Sequence, residues 1–206
     1  MLRLANIPPT DEAAIRRLTA YLAANEDRGV RQRPEEMMRT SVETGLALVV
    51  DEEGVGEPHA CSLVYRFDSD QAYCEIGTQR VTLNRYGIQV FEASLHLVQL
   101  KFELDGFPST TFAVVSPGTA SEHNLVDVVG MTNWDPPRQV VEARAAAGVP
   151  FIDGKRVIAA DDAAVARAFA AMRGWHVRDN VFRCPRGDME IRIDCGWFDP
   201  AILDIG

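Results

Sequence analysis

The stretch Tyr73–Leu104 contains the residues of this chain that most suggest chemistry. A strand-like run leads through a polar, basic connection into an apolar-periodic helix that begins at Gly87. The start of a helix carries unpaired N–H groups and the positive end of the helix dipole, so it attracts a phosphate. Arg80 and Arg85 add positive charge here, in a chain that is otherwise acidic. The stretch therefore predicts a phosphate-binding turn, although a plain strand-to-helix connection with a helix-start glycine fits the same residues.

The composition limits the classes of partner. The chain has 206 residues, 47% of them apolar and 25% charged, and a net charge of −9. These values are typical of a globular protein with a core of ordinary size. An acidic surface disfavours nucleic acid and anionic membranes as partners, and no apolar run approaches the roughly 18–20 residues that span a bilayer. The N-terminal residues lack the apolar core of a signal peptide, so we expect a cytoplasmic protein.

Metal-dependent and covalent chemistry are both disfavoured by the sequence. The four cysteines show no Cys-x-x-Cys spacing and are expected to be reduced structural thiols. His59, His96 and His176 lack partners at metal-ligand spacing. No Gly-x-Ser-x-Gly elbow occurs, and no cysteine has a persuasive histidine partner. We therefore expect no metal site and no covalent intermediate.

Apolar periodicity predicts the elements that would position the turn. In chain order they are a strand at 2–7, helices at about 11–25 and 34–45, a three-strand antiparallel meander from 46 to 81, a helix at about 87–105, a strand at 109–115, and helices at 121–130 and about 137–148. Thr10 and Ser121 are the predicted N-caps of the first and fourth helices.

The last quarter of the chain predicts two hairpins around a helix. Asp153-Gly154 predicts a hairpin that pairs 149–152 with 155–158. An Ala-rich helix then runs to near Gly174, and alternating residues predict a second hairpin of 181–184 with 189–195. The strand at 189–195 needs a partner strand or a cover, which predicts that the extension either buries an acceptor site or pairs two subunits as a homodimer.

This order of elements resembles that of the GNAT (N-acetyltransferase) superfamily over roughly residues 1–134. Glu75-Ile76-Gly77, followed by Val81, is similar to the family's fourth strand. Asn84-Arg85-Tyr86-Gly87-Ile88-Gln89 lies where the family has its (Gln/Arg)-x-x-Gly-x-(Gly/Ala) loop for the coenzyme A pyrophosphate. The resemblance implies an α/β (α+β) fold with a mixed, mostly antiparallel central sheet flanked by helices. Residues 135–206 would be a C-terminal α/β extension that completes the sheet or forms a small subdomain.

The resemblance also implies acetyl-CoA or another acyl-CoA as substrate and a role for each candidate residue. Acyl transfer to an amine needs a base, donors for the oxyanion and a thiol that can leave. Glu75 is the implied base, directly or through a water; an outward-facing carboxylate or an ion pair with a neighbouring strand is the alternative. Ser121 or Asn124 would contact the cofactor arm and His123 would transfer a proton; a capped helix start is the alternative. The implied cofactor-binding residues, including backbone donors at 80–82, are Arg80, Val81, Thr82, Asn84, Arg85, Tyr86, Gly87, Ile88, Gln89 and Asn124.

Three departures from the family pattern leave more than one function open. Asn84 and Gln89 replace the usual first and last loop residues, and the helix at 121–130 has no tyrosine to protonate the thiolate. Gly or Ala in place of Gln89 would let the backbone approach a phosphate closely. The predicted function is acyl-CoA-dependent N-acyltransfer to a small amine or amino-acid-like acceptor, by direct attack in a ternary complex. The alternatives are an inactive GNAT-like binding or regulatory module and a transferase that uses another thioester donor, such as an acyl carrier protein.

Overall fold

A single mixed sheet of ten strands organises the computed structural model, which describes residues 1–26, 33–52, 57–66, 73–81, 87–105, 110–185 and 189–204. The strands are β1 (Leu2–Asn6), β2 (Ala47–Glu52), β3 (Pro58–Arg66), β4 (Tyr73–Val81), β5 (Thr110–Val115), β6 (Thr132–Asn133), β7 (Arg156–Ala159), β8 (His176–Arg178), β9 (Val181–Cys184) and β10 (Met189–Asp194). Their order across the sheet is β6-β7-β5-β4-β3-β2-β1-β10-β9-β8. The pairs β4–β5 and β1–β10 are parallel, and the others are antiparallel. The predicted mixed, mostly antiparallel sheet is confirmed.

The helices lie close to where periodicity predicts them. They are α1 (Glu12–Ala24), α2 (Glu35–Glu43), α3 (Gly87–Asp105), α4 (Ala120–His123), α5 (Arg138–Ala146) and α6 (Asp162–Trp175). The helix predicted at 121–130 is one short α-helical turn that continues as a π-helical segment, Asn124–Val129. Within the described ranges, no helix is both long enough and apolar enough to cross a membrane.

Helices cover both faces of the sheet. On one face, α1, α2 and α5 contribute Leu18, Val42 and Val140 to a cluster that includes Leu63 and Phe112 from the strands. On the other face, α3 packs on the central strands through the side chains Leu95, Val98 and Phe102. A second row of α3 side chains, Ala93, Leu97 and Leu100, packs with Met172 and Trp175 of α6. Two sides of α3 are therefore buried. Burial of each large apolar side chain stabilises the fold by about 1.5–3 kcal/mol, so α3, the helix that follows β4, is held firmly in place.

Two helix caps differ from the prediction by one or two residues. The N-cap of α1 is Asp11, whose carboxylate accepts a hydrogen bond of 2.9 Å from the Ala14 N–H, rather than Thr10. The N-cap of α4 is Thr119 rather than Ser121, and its hydroxyl accepts from the Glu122 N–H at 3.3 Å. In both cases the capping oxygen lies three residues before the N–H that it satisfies, which is the spacing a cap needs.

The hairpin predicted at 149–158 is wrong. Gly154 does form a turn, with φ of 79°, but 149–152 is not a strand. Val149 is buried in the cluster under α5 and the Phe151 ring lies 6.4 Å from that of Phe112, so these side chains pack over the sheet instead of pairing. The partners of β7 are β5 and β6, and strands from both sides of residue 134 therefore pair in one sheet.

The sequence suggested a homodimer because the strand at 189–195 would need a partner, but the structure does not support that argument. This strand is β10, and it lies inside the sheet between β1 and β9. Its backbone groups are paired on both sides, so it does not expose the unpaired edge that favours association. The oligomeric state stays a prediction without this support.

Candidate functional site

The parallel pair β4–β5 separates after three residues. Pairing runs from Tyr73 opposite Thr110 to Glu75 opposite Phe112. Beyond this point β4 continues along β3 as far as Val81, whereas β5 pairs with β7. The sheet therefore opens between β4 and β5 at their carboxyl ends, the position where open α/β sheets bind ligands.

A β-bulge interrupts β4 beside this opening. Ser62 of β3 lies opposite two residues of β4, Thr78 and Gln79. Thr78 has a φ of 47°, in the left-handed region that residues other than glycine seldom adopt. Its hydroxyl is 2.6 Å from the hydroxyl of Tyr65, a contact that helps to hold this conformation. A bulge takes backbone groups out of the regular ladder and is common beside active sites, so this segment has backbone that can serve a ligand.

Tyr65 and Gly77 fit closely together under the bulge. Tyr65 is 1% exposed, and burial raises the pKa of its phenol far above the ordinary range, although the Thr78 hydrogen bond opposes this. The phenol therefore stays protonated and available as a donor. A Cβ atom added at Gly77 would lie 2.8 Å from Cε2 of Tyr65. Glycine is thus required here by space.

Replacing Gly77 by alanine is expected to lower the free energy of unfolding by about 1–3 kcal/mol, because the added methyl group must displace a buried ring. The measurement is the midpoint of urea unfolding. Gly174→Ala in α6 is the matched control, since its Cβ would meet no heavy atom within 4 Å. A helical Gly-to-Ala change leaves stability unchanged or slightly raised. Equal stability of the two variants would show that Tyr65 can move aside freely.

Glu75 is the centre of a buried ion-pair group. Its side chain is 1% exposed, and Arg33 Nη2 donates to Glu75 Oε1 at 2.8 Å. Arg144 Nη1 donates to the other carboxylate oxygen. The sequence left open whether Glu75 is a base, an outward-facing carboxylate or a member of an ion pair, and the structure shows ion pairs. The partners come from the segment before α2 and from α5, rather than from a neighbouring strand as expected. Both oxygens of Glu75 are therefore engaged by guanidinium groups.

Each of the two guanidinium groups lies over one aromatic ring. The Arg33 guanidinium carbon lies 5.4 Å from the centre of the Tyr65 ring, and that of Arg144 lies 4.4 Å from the centre of the Phe151 ring. Such cation–π contacts strengthen as they lose water. Burial lowers the pKa of Arg144; the charge of Arg33 lowers it further, while Glu75 raises it. Two poorly solvated guanidinium groups thus share one buried carboxylate.

The candidate cofactor-binding residues are only partly visible. Thr82, Asn84, Arg85 and Tyr86 lie outside the described residues. The backbones of Arg80 and Val81 end β4, and those of Gly87 and Ile88 begin α3, while their side chains are outside the described set. Gln89 is 6% exposed, so its side chain belongs to the buried part of α3. The phosphate-binding turn stays a prediction.

Ser121, His123 and Asn124 lie on the other side of the sheet from Glu75. The segment that contains them packs through Leu125 into the cluster under α3. Ser121 is exposed, His123 is exposed and has its Nδ1 2.7 Å from the carboxylate of Asp127, and Asn124 is half-buried. The structure therefore does not bring these residues together with Glu75.

In the same segment, the carboxylate of Glu122 is paired with neighbouring groups of the protein. Glu122 accepts a hydrogen bond from the Gly118 N–H at 2.6 Å and pairs with Arg156. The Gly118 N–H is the main cause of a lowered pKa at Glu122, and Arg156 adds to it. Among the described residues, no group of three or more His, Cys, Asp or Glu side chains is arranged to hold a metal ion.

Arg33, Arg144, Tyr65 and the Thr78 bulge are the site residues that sequence reasoning missed. Arg144 left one signal, because it lies four residues after Val140 on the buried face of α5, where an arginine needs a partner. Arg33 left none, because it sits in a polar stretch that reads as an ordinary loop. A bulge in a strand leaves no pattern of its own when glycine is absent from the left-handed position.

Comparisons with known proteins show the fold. No family model and no curated protein matches the chain. The chain is similar over 77% of its length to the NatC complex bound to Gag peptide and CoA, with 10% identity, 95% of that chain covered and a TM-score of 0.54. Over 78% of its length it is similar to Arabidopsis thaliana Naa50 in complex with the bisubstrate analogue CoA-Ac-MVNAL, with 8% identity, 98% of that chain covered and a TM-score of 0.53. Over 78% of its length it is also similar to a GNAT-family acetyltransferase from Streptococcus pneumoniae, with 10% identity, 99% of that chain covered and a TM-score of 0.54. The chain has the GNAT fold that its sequence predicted.

Proposed function

We propose that the protein is an acyl-CoA-dependent N-acyltransferase in which an amine attacks the thioester directly within a ternary complex. The observation that carries the proposal is the bulge of β4 beside the opening between β4 and β5. Support comes from the likeness in fold to the NatC complex, which was solved with CoA, and to Naa50, which was solved with a CoA bisubstrate analogue. Identities of 8–10% leave the chemistry to be tested on this chain.

The bulge is the proposed source of donors for the acyl group. As the amine attacks, the thioester oxygen becomes an oxyanion that backbone N–H groups can stabilise. The sequence predicted these donors at 80–82. Arg80 and Val81 pair with β3, whereas Thr78 and Gln79 form the irregular part of the strand. We therefore assign the acyl carbonyl to backbone at 78–79, two residues earlier.

The cofactor phosphates are assigned to the connection between Val81 and Gly87 and to the first turn of α3. This helix has 19 residues, so its N-terminus carries a full helix dipole. Arg80 and Arg85 remain the proposed basic side chains. The burial of Gln89 favours a packing role for it.

Glu75 is proposed to hold Arg33 and Arg144 in the resting site. Proton transfer through Glu75, as first predicted, would require one of its two ion pairs to open. The resting geometry thus makes it a positioning residue. The attacking amine would lose its proton to water or to Glu75 after such an opening.

Calorimetry with acetyl-CoA and with longer acyl-CoAs tests the proposal. We expect at least one to bind with a dissociation constant in the range of about 1 μM to 1 mM, typical of enzyme substrates. Arg85→Glu should weaken binding at least about tenfold, because it reverses a charge beside the phosphates. Arg173→Glu, an exposed arginine of α6, should not. Folded protein that binds no acyl-CoA would overturn the proposal.

A second candidate is a CoA-binding module without transfer activity. The engagement of both Glu75 oxygens favours it, because no other carboxylate is described at this position. The two candidates differ in one measurement. Thiol release from acetyl-CoA that depends on an added amine indicates the transferase; binding without release across a broad amine panel indicates the module.

A further inference from the structure

Two side chains of β3 hold both polar ends of Thr78 in the bulge. The Tyr65 hydroxyl lies 2.6 Å from the Thr78 hydroxyl, and the Cys61 thiol donates to the Thr78 carbonyl oxygen, with 3.5 Å between sulfur and oxygen. Cys61 and Tyr65 are each 1% exposed, so both contacts are made away from bulk water, where hydrogen bonds are stronger. The left-handed φ of Thr78 persists only if its surroundings hold it, and these two side chains do so.

The contact with Cys61 also sets the direction of the next backbone N–H. In a trans peptide, the C=O of one residue and the N–H of the next point in opposite directions, and the peptide between Thr78 and Gln79 is trans. Because the Thr78 carbonyl points toward the Cys61 thiol, the Gln79 N–H points away from it. Cys61 belongs to β3, and the opening between β4 and β5 lies on the other side of β4. The Gln79 N–H is therefore directed away from β3, toward the side on which the sheet opens.

The Tyr65 ring is itself held in place. Gly77 leaves the space that the ring fills, because a Cβ atom there would lie 2.8 Å from Cε2 of Tyr65. The guanidinium carbon of Arg33 lies 5.4 Å from the ring centre, and Arg33 is fixed in turn by its bond to Glu75. A hydroxyl on a ring packed in this way has little freedom to move. The bulge thus has the preorganisation that a donor to an oxyanion needs.

We propose that Cys61 and Tyr65 are positioning residues for acyl transfer, which hold the Thr78 peptide so that the Gln79 N–H donates to the thioester oxygen. The inference rests on the proposed acyl transfer and names two residues on which its rate depends. Neither side chain touches the acyl group, and no bond to the Cys61 sulfur forms or breaks. A donor that is already oriented needs no reorganisation as the oxyanion develops. The two residues therefore act on the transition state more than on the binding of acyl-CoA.

Infrared spectroscopy of bound acetyl-CoA tests the proposal without an acceptor. The difference between complexes with isotopically labelled and unlabelled thioester carbonyl isolates the carbonyl band from those of the protein. A hydrogen bond weakens the C=O bond, so the band of the parent complex is expected at lower frequency than that of free acetyl-CoA. In Cys61→Ala and in Tyr65→Phe, the band should move back toward the free position. A parent band at the free position, or the same band in parent and variants, would overturn the proposal.

Substitution of Cys61 tests the contact with the carbonyl in turnover. Cys61→Ala removes the donor and should lower kcat for amine-dependent thiol release from acetyl-CoA by about 10–100-fold, the effect of a misplacement of about 1 Å. The KM for acetyl-CoA should change by less than about threefold, because the contact acts in the transition state. Cys61→Ser keeps a donor at this position and should restore most of the lost kcat. Cys184→Ala, which truncates a buried cysteine of β9, is the control and should keep the parent kcat.

A cycle of variants tests the contact between the two hydroxyls. Tyr65→Phe and Thr78→Val each remove one of them, and each should lower kcat by about tenfold. The double variant should lose no more than the larger single effect, because both substitutions remove the same contact. Tyr21→Phe, which removes a phenol hydroxyl of α1 that bonds to the His59 carbonyl, is the control and should keep the parent kcat. Losses that multiply in the double variant would contradict the role of Tyr65.

The outcomes distinguish this inference from the function on which it rests. Each rate is divided by the number of acetyl-CoA sites that calorimetry counts, so a smaller folded fraction does not register as a loss of kcat. If the parent chain acylates an amine and the Cys61 and Tyr65 variants keep its kcat, the positioning role is overturned and the transferase stands. If acetyl-CoA binds without transfer, the carbonyl band decides, and equal bands in parent and variants reject the role. Failure of the parent chain to bind any acyl-CoA removes both.

Discussion

Replacement of Glu75 by glutamine is expected to lower the free energy of unfolding by about 3–5 kcal/mol, because it removes the carboxylate with which two poorly solvated guanidinium groups both pair. Glutamine is nearly the same size, so the loss reflects charge rather than packing. Glu75 is 1% exposed and accepts hydrogen bonds from both Arg33 and Arg144. Urea unfolding at pH 7 measures the change, and a loss of this size is a large fraction of the stability of an ordinary domain.

Two further variants show that the ion pairs cause the loss. Glu35→Gln, in which the substituted carboxylate is exposed and pairs with Arg39, should change stability by less than about 0.5–1 kcal/mol. The double variant Glu75→Gln with Arg144→Met should lose less than the sum of the two single variants, by about 0.5–3 kcal/mol, because the partners interact directly. Additive losses, or a loss below about 1 kcal/mol for Glu75→Gln, would contradict the ion-pair account.

The order of elements could be predicted because its signals are local. The apolar positions of α3 repeat at helical spacing, and the meander β2–β3–β4 is marked by turn residues between apolar runs. These patterns also carried the resemblance in fold. They depend on residues close together in the chain, which a single sequence displays directly.

The contacts of the site could not be predicted because they join distant parts of the chain. Arg33 lies 42 residues from Glu75, and Arg144 lies 69 residues from it. Asp153-Gly154 correctly marked a turn, but the partner of the strand after it is β5, about 40 residues earlier in the chain, and not the segment before the turn. Turn residues thus predict where the chain reverses, but they do not predict which strand β7 pairs with. That choice depends on the packing of α5 and Phe151 over the sheet.

The buried imidazole of His96 is expected to lower the free energy of unfolding in mild acid. Its side chain is 6% exposed, and its ring centre lies 5.2 Å from that of Trp175 in α6. Among the described residues, neither nitrogen of the His96 ring has a hydrogen-bond partner. Burial lowers its pKa from 6.5 to about 3. As the pH falls below 6.5, the unfolded chain binds a proton that the folded protein rejects, so the free energy of unfolding decreases until about pH 3. The slope approaches about 1.4 kcal/mol per pH unit, and between pH 6.5 and 4.5 the loss is about 2–3 kcal/mol.

The comparison of pH profiles between variants isolates this effect from the acidic groups that also titrate. In His96→Leu the contribution disappears, so stability should fall less steeply below pH 6.5, with a difference from the parent chain that grows to about 2–3 kcal/mol at pH 4.5. His176→Gln, which removes an exposed imidazole, should keep the parent slope. Above pH 7.5 the parent and His96→Leu should have similar stability, since a buried polar group without a partner is replaced by an apolar one of similar volume. Parallel profiles for the parent and His96→Leu would show that His96 finds a partner or water that lets it accept the proton in the folded state.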